Sequence, residues 1–97
     1  MKFEWDTAKE QRNVQKHGVS FEQACYVFAD PHALSLFDSE HSQSEDRWIM
    51  LGQSQNQVIL VVVHPYRISG KIETVRIISA RKASKNEQKT YHAKCKQ

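Results

Sequence analysis

The sequence lacks a long hydrophobic run: its longest, Val58 to Val63, falls far short of the ~20 residues a membrane helix needs. Its N-terminus, MKFEWD, places acidic residues where a signal peptide would carry an apolar stretch, so a cytoplasmic chain without membrane contact is expected. Cysteine is scarce. The two present, Cys25 and Cys95, lie far apart and follow no metal spacing, which reads as a small buried hydrophobe and a free thiol near the tail. A disulfide between them would run against a reducing compartment. No internal repeat, low-complexity segment, nucleophile motif or helix-turn-helix pattern is present. His32, Asp38, Glu40 and His41 have no recognised ligand spacing and read as a solvated loop, so neither metal nor cofactor is expected.

What is there is an ordinary globular composition. Hydrophobic residues make up 39% and charged residues 26% of 97, which suits one domain spanning 1–97 and excludes a disordered chain. The charge is uneven. Residues 1–62 carry five Lys/Arg against nine Asp/Glu, whereas residues 63–97 carry nine against two, giving −4 and +7 and the net +3. A basic C-terminal third suits a phosphate backbone or an acidic partner surface. A solvated basic helix without a ligand would read the same way.

Local signals set the element order. Phe3 to Trp5 reads as a short strand or extended entry, and Asp6 can cap a polar helix from Thr7 to Lys16 that Gly18 ends. Ser20 with Gln23 makes a capping box, after which Phe21, Ala24, Cys25 and Phe28 fall on one helix face until Asp30-Pro31. Strands are expected at Ala33 to Phe37, Arg47 to Leu51, Val58 to His64 and Ile72 to Ser79. Asp38 to Glu45 reads as a polar loop, Gly52 to Asn56 as a turn and Pro65 to Gly70 as a hairpin loop. The unbroken β-branched run into His64 should be central, covered on both faces. Ser84 with Glu87 caps a last helix to about Lys94. The expected fold is α+β: two N-terminal helices, a small antiparallel sheet of about four strands and a C-terminal helix.

Taken in order, FEWDTAK, KHGVSFEQA, VFADP, HSQSEDR, VVVH and RIISARKAS, with Glu87 and Tyr91 following, resemble the BrnT toxin family from Phe3 to about Tyr91. The resemblance implies a RelE-like fold and a ribonuclease toxicity that stops translation. It also implies a BrnA-type antitoxin partner that binds DNA and represses its own operon, so that DNA is met only indirectly. One departure is the tail, where Gln88, Lys89, His92, Lys94 and Lys96 replace a run of arginines. Lysine offers charge without the bidentate fork of arginine.

RNA cleavage through the 2′-hydroxyl needs a group to remove that proton, one to protonate the departing 5′-oxygen, and cations to hold the extra phosphoryl charge. It needs neither a covalent nucleophile nor a metal. His64, ending the central strand, suits proton transfer, or is a strand-end histidine bonded to backbone. Arg76 shares a strand face with Ile72, Thr74 and Ile78, and aims at a phosphate or forms a structural pair. Arg81 and Lys82 precede the capped helix start, whose N–H groups could seat a phosphate, or they occupy a solvated turn. Glu87 is a base near Arg81 or a capping acceptor. Tyr91 stacks on a base or docks its helix, and Arg67 contacts RNA from its loop or stays solvated. His17, beside the helix-ending Gly18, suits the helix dipole and calls for no catalytic role. The catalytic candidates are therefore His64, Arg76, Arg81 and Glu87, and the RNA-binding candidates Arg67, Lys82 and Tyr91. Two rival classes remain: a non-catalytic module that binds RNA or the antitoxin, and, less well matched, a DNA-binding domain.

Overall fold

The structure, a computed structural model, describes residues 1–40 and 45–95. Chain order is β1 (Lys2–Glu4), α1 (Thr7–His17), α2 (Phe21–Cys25), β2 (Leu34–Phe37), β3 (Trp48–Gln53), β4 (Ile59–His64), β5 (Tyr66–Ser69), β6 (Ile72–Arg76), β7 (Ser79–Lys82) and α3 (Lys85–Cys95). Among the described residues the fold is α+β, with three helices and a four-stranded antiparallel sheet ordered β2-β3-β4-β7. The expected polar loop includes residues 41–44, which lie outside the described residues.

The helix boundaries follow local chemistry. The Asp6 carboxylate accepts from the Ala8 and Lys9 N–H groups at 2.8 and 3.1 Å, holding its acid below the ordinary range. Gly18 takes the left-handed conformation at φ 70° and donates its N–H to the Val14 carbonyl at 2.8 Å, which closes α1. Ser20 and Gln23 form the reciprocal box that starts α2. The chain then tightens into a 3-10 turn over Tyr26–Ala29. That tightening swings Val27 into the core and leaves Cys25 and Phe28 only half-buried, where a continuous α-helix would have buried them with Phe21 and Ala24.

β4 is central, as its sequence predicts, and divides the core in two. Leu60 and Val62 pack with Val19, Phe21, Ala24, Val27, Val75, Ile77 and Ala80. Ile59 and Val61 pack on the opposite face with Leu51, Ala83 and Tyr91, under α3. Gly52 lies where β3 crosses the 3-10 turn. A Cβ there would stand 2.7 Å from Val27 Cγ1 and 2.9 Å from Ala33 Cβ. Gly52→Ala should therefore cost ~1–3 kcal/mol, read from the urea midpoint at unchanged slope.

Two features depart from the expected strands. The segment read as a hairpin loop is β5, which pairs antiparallel with β6, and β1 adds to the other side of β6 in parallel. This second, three-stranded sheet continues from the first, because β4 runs through Pro65 into β5, the chain turns back at Gly70, and β6 runs on into β7. The registers on either side of that passage do not match. Val63 pairs with Ser79 and Tyr66 with Val75, so two residues, 64 and 65, face three, 76 to 78. The extra residue is a β-bulge, spanned by Arg76 N–H donating to Pro65 O at 3.1 Å and Ile78 N–H donating to Val63 O at 3.0 Å. It shifts the alternation by one, so Val75, Ile77 and Ala80 all point into the same core. The unbroken alternation from Ile72 to Ser79 is thereby corrected.

Candidate functional site

The bulge decides where the candidate arginines go. With strict alternation Arg76 and Arg81 would point to opposite faces, since they differ by five residues. After the one-residue shift both point away from the core that holds Val75, Ile77 and Ala80. Each, however, is engaged by a carboxylate. Arg76 pairs with Glu45, both side chains nearly half exposed. Arg81 forms a two-pronged pair with Glu87, Nη1 to Oε1 and Nη2 to Oε2, both at 2.8 Å. The expected convergence of His64, Arg76 and Arg81 on one spot is not what the fold builds.

His64 is withdrawn from solvent. It is 3% exposed, and neither ring nitrogen has a hydrogen-bond partner of normal geometry among the described residues. Its ring meets Phe28 edge-on at 4.8 Å and lies 6.2 Å from Tyr66. Burial lowers its pKa, with the Pro65 backbone acting weakly the other way, so the neutral ring is the stable form. A side chain in this position cannot meet a substrate without the aromatic layer opening.

Glu87 and Tyr91 are also committed. Glu87 accepts from the Ser84 N–H at 2.8 Å while Ser84 Oγ accepts from the Glu87 N–H at 3.2 Å, completing the capping box. Arg81 beside it holds the Glu87 carboxyl down at about 2. The helix N-terminus expected as a phosphate seat is thus served by the chain's own groups. Tyr91 is buried, and its hydroxyl donates to Asp30 Oδ2 at 2.6 Å. It therefore docks α3 and offers no face for base stacking. Burial pushes Asp30 up, but the bonds from Tyr91 and from the Gln53 and His32 N–H groups outweigh it and leave the acid below its ordinary range. Lys82 is exposed; Arg67 lies on a strand instead of a loop, and its side chain falls outside the described residues.

The Arg81–Glu87 pair makes stability pH-dependent. Its carboxyl titrates at about 2 when folded against 4.5 ordinarily, so the contribution is complete above about pH 4.5 and is lost as pH falls toward 2. Because the partners are 43% and 32% exposed, solvent screening holds that contribution to ~1 kcal/mol. Urea unfolding of the parent chain and Glu87→Gln at pH 7 and near pH 2.5 should show their difference shrinking by about that amount at the lower pH.

A different set of cations surrounds the bulge. Three adjoining hollows, of ≈ 400, ≈ 380 and ≈ 390 Å³, share Lys9 and Ile78. Arg76 stands in the first with Glu4, Trp5 and Asp6. Arg47 and Asp38 border the second, and Arg12, Asn13, Lys16 and His17 the third, with Ser79 in both. Each is in the size range of ligand sites, roughly 300–1,000 Å³. Lys9, Arg12 and Lys16 make no ion pair among the described residues. These residues escaped the sequence reading because their charge is diluted by acids of the same half-chain. The signal present was spacing: Lys9, Arg12, Asn13 and Lys16 fall at i, i+3, i+4 and i+7, one face of α1. Among the described residues, no three His, Cys, Asp or Glu side chains gather as a metal ion would require.

Comparison with known proteins gives two findings. A family model described as the ribonuclease toxin BrnT of type II toxin–antitoxin systems matches residues 5–87. The crystal structure of the ribonuclease toxin BrnT from Brucella abortus is similar in fold, with a TM-score of 0.64 and 24% identity over 88% of this chain and 99% of that one. No curated protein matches the sequence.

Proposed function

The chain belongs to the BrnT family, the ribonuclease toxins of type II toxin–antitoxin systems, and from that premise we propose that it cleaves RNA along the cationic groove beside the β6–β7 bulge. The observation that carries this reading is the meeting of three hollows at Lys9 and Ile78, with Arg76 turned outward at one end. A polyanion is held by a row of cations more than by a single deep cavity, and the groove has that form. Lys82, exposed at the end of β7, adds a further positive charge before α3.

The chemistry asked of the site is limited. The RNA supplies its own nucleophile, so the protein need only position the phosphodiester, stabilise its added charge and move protons. We expect transesterification to a 2′,3′-cyclic phosphate, proceeding without a metal ion. The Glu45 carboxylate that holds Arg76 would yield to the RNA phosphate, because a half-exposed pair of this kind contributes only ~0–1 kcal/mol.

A type II system supplies a protein antitoxin to each toxin. We propose a BrnA-type partner that covers the groove, so that DNA is reached only through the antitoxin. Among the described residues no helix is long and apolar enough to cross a membrane. Free toxin released from its antitoxin and given RNA in EDTA, with and without ribosomes, tests the reading. Cyclic-phosphate ends should appear, and RNA left intact under both conditions would count against it.

A further inference from the structure

We propose that His17 is the proton-transfer group of this groove, with Lys9, Arg12 and Lys16 holding the scissile phosphate beside it; this rests on the groove being the site of RNA cleavage. The four described histidines are sorted by their positions. His64 is sealed beneath Phe28 and Tyr66. His92 lies on α3 against the Tyr91 ring, and His32 follows the 3-10 turn, where its N–H is bound by Asp30. Neither lines the cationic hollows. His17 does, sharing the ≈ 390 Å³ hollow with Lys9, Arg12, Lys16 and Ser79.

Its position is rigidly set. Asn13, one turn earlier on the same face, is bonded to both backbone groups of Ala80 in β7. That clamp fixes the rotation of α1, and a residue at i+4 from Asn13 must face the same way. Gly18 ends the helix directly after His17, so no further turn covers the ring. Competing acids on α1 are occupied: Glu10 accepts from the Phe21 N–H at 2.9 Å, and Asp6 caps the helix start. His17 is thus an imidazole in a cation-lined hollow, and a ring nitrogen of an imidazole can supply the lone pair a general base requires.

In the proposed step His17 accepts the proton of the ribose 2′-hydroxyl as the 2′-oxygen bonds to phosphorus. The phosphorus–O5′ bond breaks, and the departing 5′-oxygen takes a proton from water. Lys9, Arg12 and Lys16, with Arg76 reaching in from the adjoining hollow that shares Lys9, face the non-bridging oxygens as their charge rises. His17 then releases its proton to solvent.

The test uses free full-length chain, a defined RNA oligonucleotide, and the same oligonucleotide with 2′-O-methyl groups, which binds but cannot react. His17→Ala and His17→Asn should cleave ~10²–10⁴-fold more slowly while binding the methylated RNA within about twofold of the parent. Their melting temperatures should match the parent. Added imidazole should restore part of the His17→Ala rate, and the limb of the pH–rate profile that depends on a proton acceptor should be missing from both variants. Parent-like cleavage by either variant overturns the inference alone, as does a loss of binding equal to the loss of rate. A parent chain that cleaves no RNA overturns the groove reading together with this one.

Discussion

Arg76→Ala should lower the RNA cleavage rate at least about tenfold, and as much as 10²–10³-fold if its guanidinium meets the phosphoryl oxygens only in the transition state. The expectation comes from where the bulge puts this residue. Arg76 is the last residue of β6, its backbone tied to Pro65 and paired with Glu4, so the side chain leaves from a fixed point. Its side chain is 45% exposed and opens onto the hollow that continues to Lys9. Arg76→Lys separates charge from geometry. If the two-pronged fork matters, lysine recovers binding but little of the rate. Glu45→Gln releases the arginine and should leave cleavage at or above the parent rate. Stability should hardly change in any of the three, because the pair is exposed. An Arg76→Ala chain that folds and cuts at the parent rate would reduce this arginine to a surface ion pair.

The largest effect on stability is expected at Asn13, not at an apolar residue of α1. Asn13 is 8% exposed in a helix that is otherwise almost wholly solvated. Its amide nitrogen donates to Val19 O at 2.8 Å and Ala80 O at 2.7 Å, and its oxygen accepts from the Ala80 N–H at 3.1 Å. β7 is the edge of the four-stranded sheet, so Ala80 has no neighbouring strand on that side. The asparagine amide stands in for one residue of such a strand. Asn13→Ala would strand two buried carbonyls and one buried N–H, at a cost of ~2–4 kcal/mol. For a domain of this size that is a large part of the ~5–15 kcal/mol usually available. Asn13→Asp should be no better, since a carboxylate can accept from Ala80 but cannot donate to either carbonyl. Urea unfolding of the two variants checks both figures, and a loss under ~0.5 kcal/mol would mean the edge is satisfied by water. Because Lys9, Arg12, Lys16 and His17 ride on the same helix, Asn13→Ala should also cut more slowly in proportion to the loosening of α1.

Whatever depends on a few neighbouring residues is legible in the linear order alone. The Asp6 cap, the Gly18 stop and the Ser20–Gln23 and Ser84–Glu87 boxes are bonds between groups within about four residues, and each formed where the spelling placed it. The β-branched run of β4 likewise announces a strand covered on both faces. Tertiary structure alone decided the rest. Whether 76 to 78 hold one residue too many depends on the partner strand, which no window around Arg76 contains. A loop became β5 because β6 offered it a ladder, and β1 found the other edge of β6 from the far end of the chain. His64 was covered by Phe28 from a distant segment, and Asn13 went inward to meet the bare edge of β7. Local hydrogen bonds are fixed by spacing, whereas register, edge coverage and burial belong to pairs of segments whose meeting the linear order does not state.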